Sequence, residues 1–119
     1  MNKVILVGTL SHDPELRHTA AGVPYCAFTL ACAKPARRGE EAAACDHVPC
    51  RVYGREAEAL ARGAVSGQQV VVEGRIAVTS REIDGQRHWF TRVNAQRVER
   101  DTSPQNGALL WLDEVPFDV

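Results

Sequence analysis

The fold class predicted by this 119-residue sequence is all-β: a five-stranded barrel with one short helix between the third and fourth strands, followed by a short acidic tail. Three observations lead there. Apolar and polar residues alternate in several separate stretches, the two-residue period of strands with one buried face. One stretch, Arg55 to Gly63, carries its apolar residues at helical spacing instead. Turn-forming pairs such as Asp13-Pro14 and Asp84-Gly85 fall between the stretches.

Residues 3–10 are apolar at both parities, with Val4, Leu6 and Gly8 on one face and Ile5 and Val7 on the other. A first strand of that kind needs a second layer or a partner subunit over its outer face. After the Asp13-Pro14 turn the chain resumes in extended form from Glu15 to Thr19, and Ala21-Gly22 turns it again. Val23 to Ala33 reads as the long second strand, with Tyr25, Ala27, Thr29 and Ala31 opposite Cys26, Phe28, Leu30 and Cys32. Phe28 shares a face with Leu30 and is assigned to the core. Lys34 to Ala44 is a polar loop.

Cys45 to Tyr53 is the third strand, in which Pro49 removes a ladder donor and predicts an edge position or a bulge. The helix sets Ala57, Leu60 and Ala61 on one side and stops at Gly63. Gln69 to Ser80 is the fourth strand, with Val70, Val72, Ile76 and Val78 on one face. Asp84-Gly85 is a hairpin signal, and Trp89 to Val98 returns with Trp89, Thr91, Val93 and Ala95 inward. On this reading Trp89 belongs to the core or to a subunit contact, whereas Phe90 points the other way, to surface stacking or an interface. Five strands with the helix after the third is the order of an oligonucleotide/oligosaccharide-binding (OB) barrel, one of several small β folds that the periodicity allows. Residues 1–100 are expected to form this domain, and 101–119 a flexible linker and acidic tail.

Composition is that of a soluble globular chain, 45% apolar and 24% charged. No apolar run is long enough for a membrane span. The opening Met1 to Gly8 is too short for a signal peptide and lacks a small-residue cleavage site, so a cytoplasmic protein is expected. The net charge of −1 conceals an asymmetry, because residues 1–100 hold all 14 basic groups and 11 of the 15 acidic ones. A basic body with an anionic end suits a phosphate-binding surface. Cys26, Cys32, Cys45 and Cys50 lack the close Cys-x2-Cys spacing of structural zinc sites and are expected to act as small hydrophobes. No metal or cofactor is expected. The four histidines are scattered, and neither a catalytic triad ordering nor a phosphate-cradling glycine loop is present, so the chain is not expected to be an enzyme.

Five collinear stretches then resemble the bacterial single-stranded DNA-binding protein family. Met1-Asn2-Lys3-Val4-Ile5-Leu6-Val7-Gly8-Thr9-Leu10 followed by Asp13-Pro14-Glu15-Leu16-Arg17 is similar to its opening. Ala27-Phe28-Thr29-Leu30-Ala31, Val52-Tyr53-Gly54-Arg55-Glu56-Ala57-Glu58 and Val71-Val72-Glu73-Gly74-Arg75-Ile76 resemble later strands, and Asp113-Glu114-Val115-Pro116-Phe117 resembles the acidic Asp-Asp-x-Pro-Phe tip. The resemblance implies an OB-fold subunit, a homotetramer or homodimer, that protects single-stranded DNA during replication, recombination and repair. It further implies a tail, Asp113, Glu114, Val115, Pro116 and Phe117, that recruits replication and repair enzymes. In the family the terminal Phe presents its own carboxylate, whereas here Asp118 and Val119 follow it.

The family commonly stacks bases on tryptophans. Here the Lys34 to Ala44 loop has no aromatic residue, His47 stands at the third-strand tryptophan position, and the fourth-strand position falls near Arg81 or Glu82. Of the customary set, Tyr53 is retained. Unpaired DNA offers a phosphate and a flat π-face at every nucleotide, so the expected surface combines Tyr53 and His47 with the cations Lys34, Arg37, Arg38, Arg51, Arg55, Arg75, Arg81 and Arg87. Guanidinium planes are expected to substitute in part for the missing rings, and binding to fall more steeply with salt than in an aromatic-rich relative. The alternative is an OB adaptor of the primosome-accessory kind with weak DNA binding, which the missing tryptophans favour and the intact family motifs oppose.

Overall fold

A computed structural model describes residues 1–35, 39 and 44–102. Six strands and one helix follow in the order β1 (Val4–Leu10), β2 (Glu15–His18), β3 (Pro24–Ala33), β4 (Cys45–Tyr53), α1 (Arg55–Gly63), β5 (Gln69–Ile83) and β6 (Gln86–Arg100). They form one sheet in the order β1-β5-β6-β4-β3-β2, which closes into a barrel where Thr9 and Leu10 pair with Ala31 and Leu30. β2 pairs with Pro24 to Ala27 on the same margin of β3, so β1 and β2 are two halves of one barrel position, broken by the Asp13-Pro14 turn. The five-strand expectation therefore holds, with the Glu15 segment completing the first strand. The arrangement is that of an OB barrel.

The predicted inward faces meet in the middle. Leu10, Leu30, Val52, Val70 and Val72 are almost wholly enclosed, joined by Phe28, Cys26, Cys50 and Val93. Burying each large aliphatic side chain contributes on the order of 1.5–3 kcal/mol. Helix α1 turns Ala57 and Leu60 toward the sheet to close one end of the barrel. There the Cys26 thiol donates to the Ala57 carbonyl at 3.3 Å. Cys26 and Cys50 thus do behave as small core residues, whereas Cys32 is half-buried and Cys45 exposed.

β5 and β6 pair over their whole length, from Val70 with Arg100 to Ile83 with Gln86. Asp84 and Gly85 turn the chain with φ of 51° and 79°, both in the left-handed region that a two-residue hairpin of this hand requires. Pairing to β4 stops at Cys50 with Val93, so the hairpin runs on as a free arm. This overturns one expectation. Ile76, Val78, Trp89 and Thr91 lie on the predicted side of their strands, yet all four are exposed, Trp89 to 68%. Among the described residues no layer of the barrel reaches far enough along the arm to cover them. Trp89 is not a core residue.

Candidate nucleic-acid interface

Side chains paired across neighbouring strands share a face, and the register therefore draws the barrel's outer surface residue by residue. Glu15 stands opposite Ala27, Ala27 opposite Arg51, Arg51 opposite Asn94 and Asn94 opposite Arg75. One row thus crosses five strands. A parallel row carries Arg17, Tyr25 and Tyr53. Along β3 the outward positions Ala27, Thr29, Ala31 and Ala33 are small, which leaves a trough between taller side chains. The same face continues up the arm through Arg92, Phe90, His88 and Arg81.

Where β6 leaves β4 the strands part and a groove of about 700 Å³ opens. Tyr25, Ala27, Phe28 and Thr29 form its floor, Pro49 to Arg51 one wall, Trp89 to Arg92 the other, and His12, Glu15 and Arg17 its rim. Its rings and guanidinium groups are already in contact. The Arg51 guanidinium carbon lies over the Tyr25 ring, 4.6 Å from its centre, and Nη1 donates to the Tyr53 hydroxyl at 3.4 Å. Tyr25 and Tyr53 are tilted rings 5.9 Å apart. On the arm, Arg81 lies over Phe90 at 5.1 Å, and Arg92 Nε donates to Asn94 Oδ1 at 3.0 Å. Among the described residues a single acid of the groove, Glu15, faces Arg17 at 3.7 Å across an exposed pair.

Of the residues expected at the site, Arg51, Tyr53, Arg75 and Arg81 share this continuous face, and His47 lies farther along it, opposite Ala31. Arg87 pairs with Glu82 on the reverse side of the arm, where Nη1 donates to Ser80 Oγ at 2.8 Å. Lys34 is 3.6 Å from Asp46, whose strand partner Cys32 belongs to the inward parity. Arg55 opens α1 at the barrel's end. Arg37, Arg38 and the tail residues Asp113 to Phe117 lie outside the described residues. Sequence reasoning missed Tyr25, Arg17 and Arg92 as groove residues, and left Phe90 between surface stacking and an interface. The outward parity of Tyr25 was readable, but its register with Tyr53 was not.

Among the described residues no group of three or more His, Cys, Asp or Glu side chains is placed to hold a metal ion. Burial pushes the Cys50 thiol, in the groove wall, up to about 12. An inert thiol of that kind is packing, since thiolate character is what makes a cysteine reactive.

Comparison with known proteins finds relatives of this chain. Residues 1–101 match the Single-strand binding protein family. The chain is 40% identical over 109 residues to Single-stranded DNA-binding protein 3 of Listeria innocua, covering 91% of this chain and 68% of that one. It is 35% identical over 113 residues to the Single-stranded DNA-binding protein of Halalkalibacterium halodurans, covering 91% and 67%. With that of Bacillus cereus the identity is 36% over 108 residues, covering 90% and 63%. The chain thus spans about two thirds of the length of these relatives.

Proposed function

This chain belongs to the single-strand binding protein family, and from that premise we propose that it binds single-stranded DNA without regard to sequence and protects it during replication, recombination and repair. The row of Arg51, Asn94 and Arg75 across the barrel, flanked by Tyr25 and Tyr53 and extended by Phe90 and Arg81 on the arm, carries this reading. Cations meet the phosphates, and ring and guanidinium planes meet bases whose faces are free only in an unpaired strand. The small side chains of β3 let the strand lie close. The protein works by holding DNA and performs no reaction on it.

The same reading assigns residues 1–100 to the binding domain and 101–119 to a linker and tail. The acids Asp113 and Glu114 steer Pro116 and Phe117 to a basic pocket on replication and repair enzymes. Assembly as a homotetramer or homodimer covers Ile5 and Val7, which are exposed to 65% and 52% on the outside of β1. Work on the chromosome places the protein in the cytoplasm, on the nucleoid. No helix among the described residues is long and apolar enough to cross a membrane.

Titration of a fluorescent oligo-dT at rising salt tests the proposal. Binding at low salt is expected, with the logarithm of the affinity falling linearly with the logarithm of salt concentration. Absence of binding at low salt would overturn it.

A further inference from the structure

Three rings stand at outward positions of the sheet among the described residues, Tyr25, Tyr53 and Phe90, and two of them are not bare. Arg51 lies over Tyr25 and Arg81 over Phe90, at 4.6 and 5.1 Å from the ring centres. Both arginines sit on outward positions of the same continuous surface, one on the barrel and one on the arm. An incoming base cannot reach the covered side of either ring without displacing a guanidinium. We propose that these two arginine-capped rings are the base-stacking steps of the groove, with the base lying on the guanidinium rather than on the ring. The inference rests on the single-stranded DNA reading above and adds to it which atoms take the bases.

The physical case has three parts. A guanidinium is planar and weakly hydrated, so once one face is covered by a ring the other still offers a flat, cationic surface to a second π-system. A side chain already held in place loses less freedom when the base arrives. Arg51 is held twice, over Tyr25 and by its hydrogen bond to Tyr53. Moreover, stacking is otherwise thin on this surface. The outward positions of β3 between Ala27 and Ala33 are small, and Trp89, although it lines the groove wall, is carried on the opposite parity of the arm from Phe90, paired with Ser80. A lysine at either position would keep the charge but present a compact, strongly hydrated ammonium that cannot stack.

Arg51→Lys and Arg81→Lys separate a stacking cap from a phosphate clamp. Each variant is titrated with oligo-dT and with an abasic strand of equal length, which has the phosphates but no bases. Both side chains are at the surface, so unchanged circular dichroism and melting temperature confirm the fold. The expected result on oligo-dT is a loss of about tenfold per substitution, the size of one base stack, with the salt slope unchanged. On the abasic strand the variants should match the parent. Equal losses on both strands, or none on oligo-dT, would assign the arginines to phosphates and overturn the inference while leaving DNA binding intact. Failure of the parent protein to bind oligo-dT would remove both proposals together.

Discussion

Among the described residues Glu15 is the one carboxylate on the groove rim, in the same cross-strand row as Arg51 and Arg75 and 3.7 Å from Arg17. A negative charge there repels phosphates and draws off part of Arg17. Glu15→Gln removes the charge while keeping the shape, so oligo-dT is expected to bind about threefold more tightly at low salt, with the gain shrinking as salt screens it. Equal affinities in a low-salt titration would show that the acid lies outside the path. Cys50 makes a different kind of prediction. Its thiol is raised from 9.0 to about 12 by burial, with a smaller push from Cys32. Below pH 9 the folded and unfolded chains both keep the proton, and stability does not depend on it. Between pH 9 and 12 the unfolded chain ionises first, so stability falls as pH rises. Cys50→Ala should make that alkaline decline shallower in urea melts, although Cys26, raised for the same reason, retains part of it. An identical decline in the variant would rule out the burial account.

At the scale of elements, the β5–β6 arm decides how far the proposed binding surface extends. Between Glu73 and Gly74 the register to β6 shifts, because Gln96 is an extra residue between Ala95 and Arg97. Such a bulge bends and twists the ribbon. Gly74 makes the close approach possible, since a Cβ there would collide with the Asn94 carbonyl oxygen and lie 2.8 Å from Ala95 Cα, both of them main chain. Gly74→Ala is therefore expected to destabilise the fold by roughly 1–3 kcal/mol, measured as a lower urea midpoint. An unchanged midpoint would mean that the bulge absorbs a methyl group. Asn2 supports the arm's base from the other side, exchanging two hydrogen bonds of 2.7 and 2.9 Å with the main chain of Ile76.

These same elements show what could be read in advance. Alternation placed Cys26, Phe28, Leu30, Val70 and Val72 inside, and the Asp84-Gly85 pair fixed the hairpin, because both signals are local. Parity also put Ile76 and Trp89 on the correct side of their strands. It could not say that the barrel ends beneath them, since burial depends on what stands opposite. The site was legible to the same extent. Arg51, Tyr53, Arg75 and Arg81 were recognisable by type and position. The pairing of Arg51 with Tyr25 and of Arg81 with Phe90 arises from strand register and twist, which no single segment encodes.

For the whole molecule, the proposed assembly falls on β1. Val7 pairs with Val71, and both are exposed on the outer face beside Ile5. This apolar strip is bordered by the ion pairs of Lys3 with Glu73 and Arg97 with Glu99. Beyond Thr9 and Leu10, no strand among the described residues pairs with the margin of β1 that faces away from β5. An unpaired margin next to an apolar strip is a surface that proteins ordinarily cover. Val7→Asp puts a charge in that strip without touching the core, so the isolated protomer should change in stability by no more than about 0.5 kcal/mol. If copies of the chain meet there, burying an unpaired carboxylate breaks the contact, and light scattering should report the mass of a single chain where the parent shows a multiple. Binding should then separate by length. A strand short enough for one groove is held as before, whereas a strand that spans several grooves loses the gain from linked sites. A parent protein that is already monomeric, or a variant that keeps the parent's mass, would leave β1 without the role assigned to it and would confine the binding surface to one barrel and one arm.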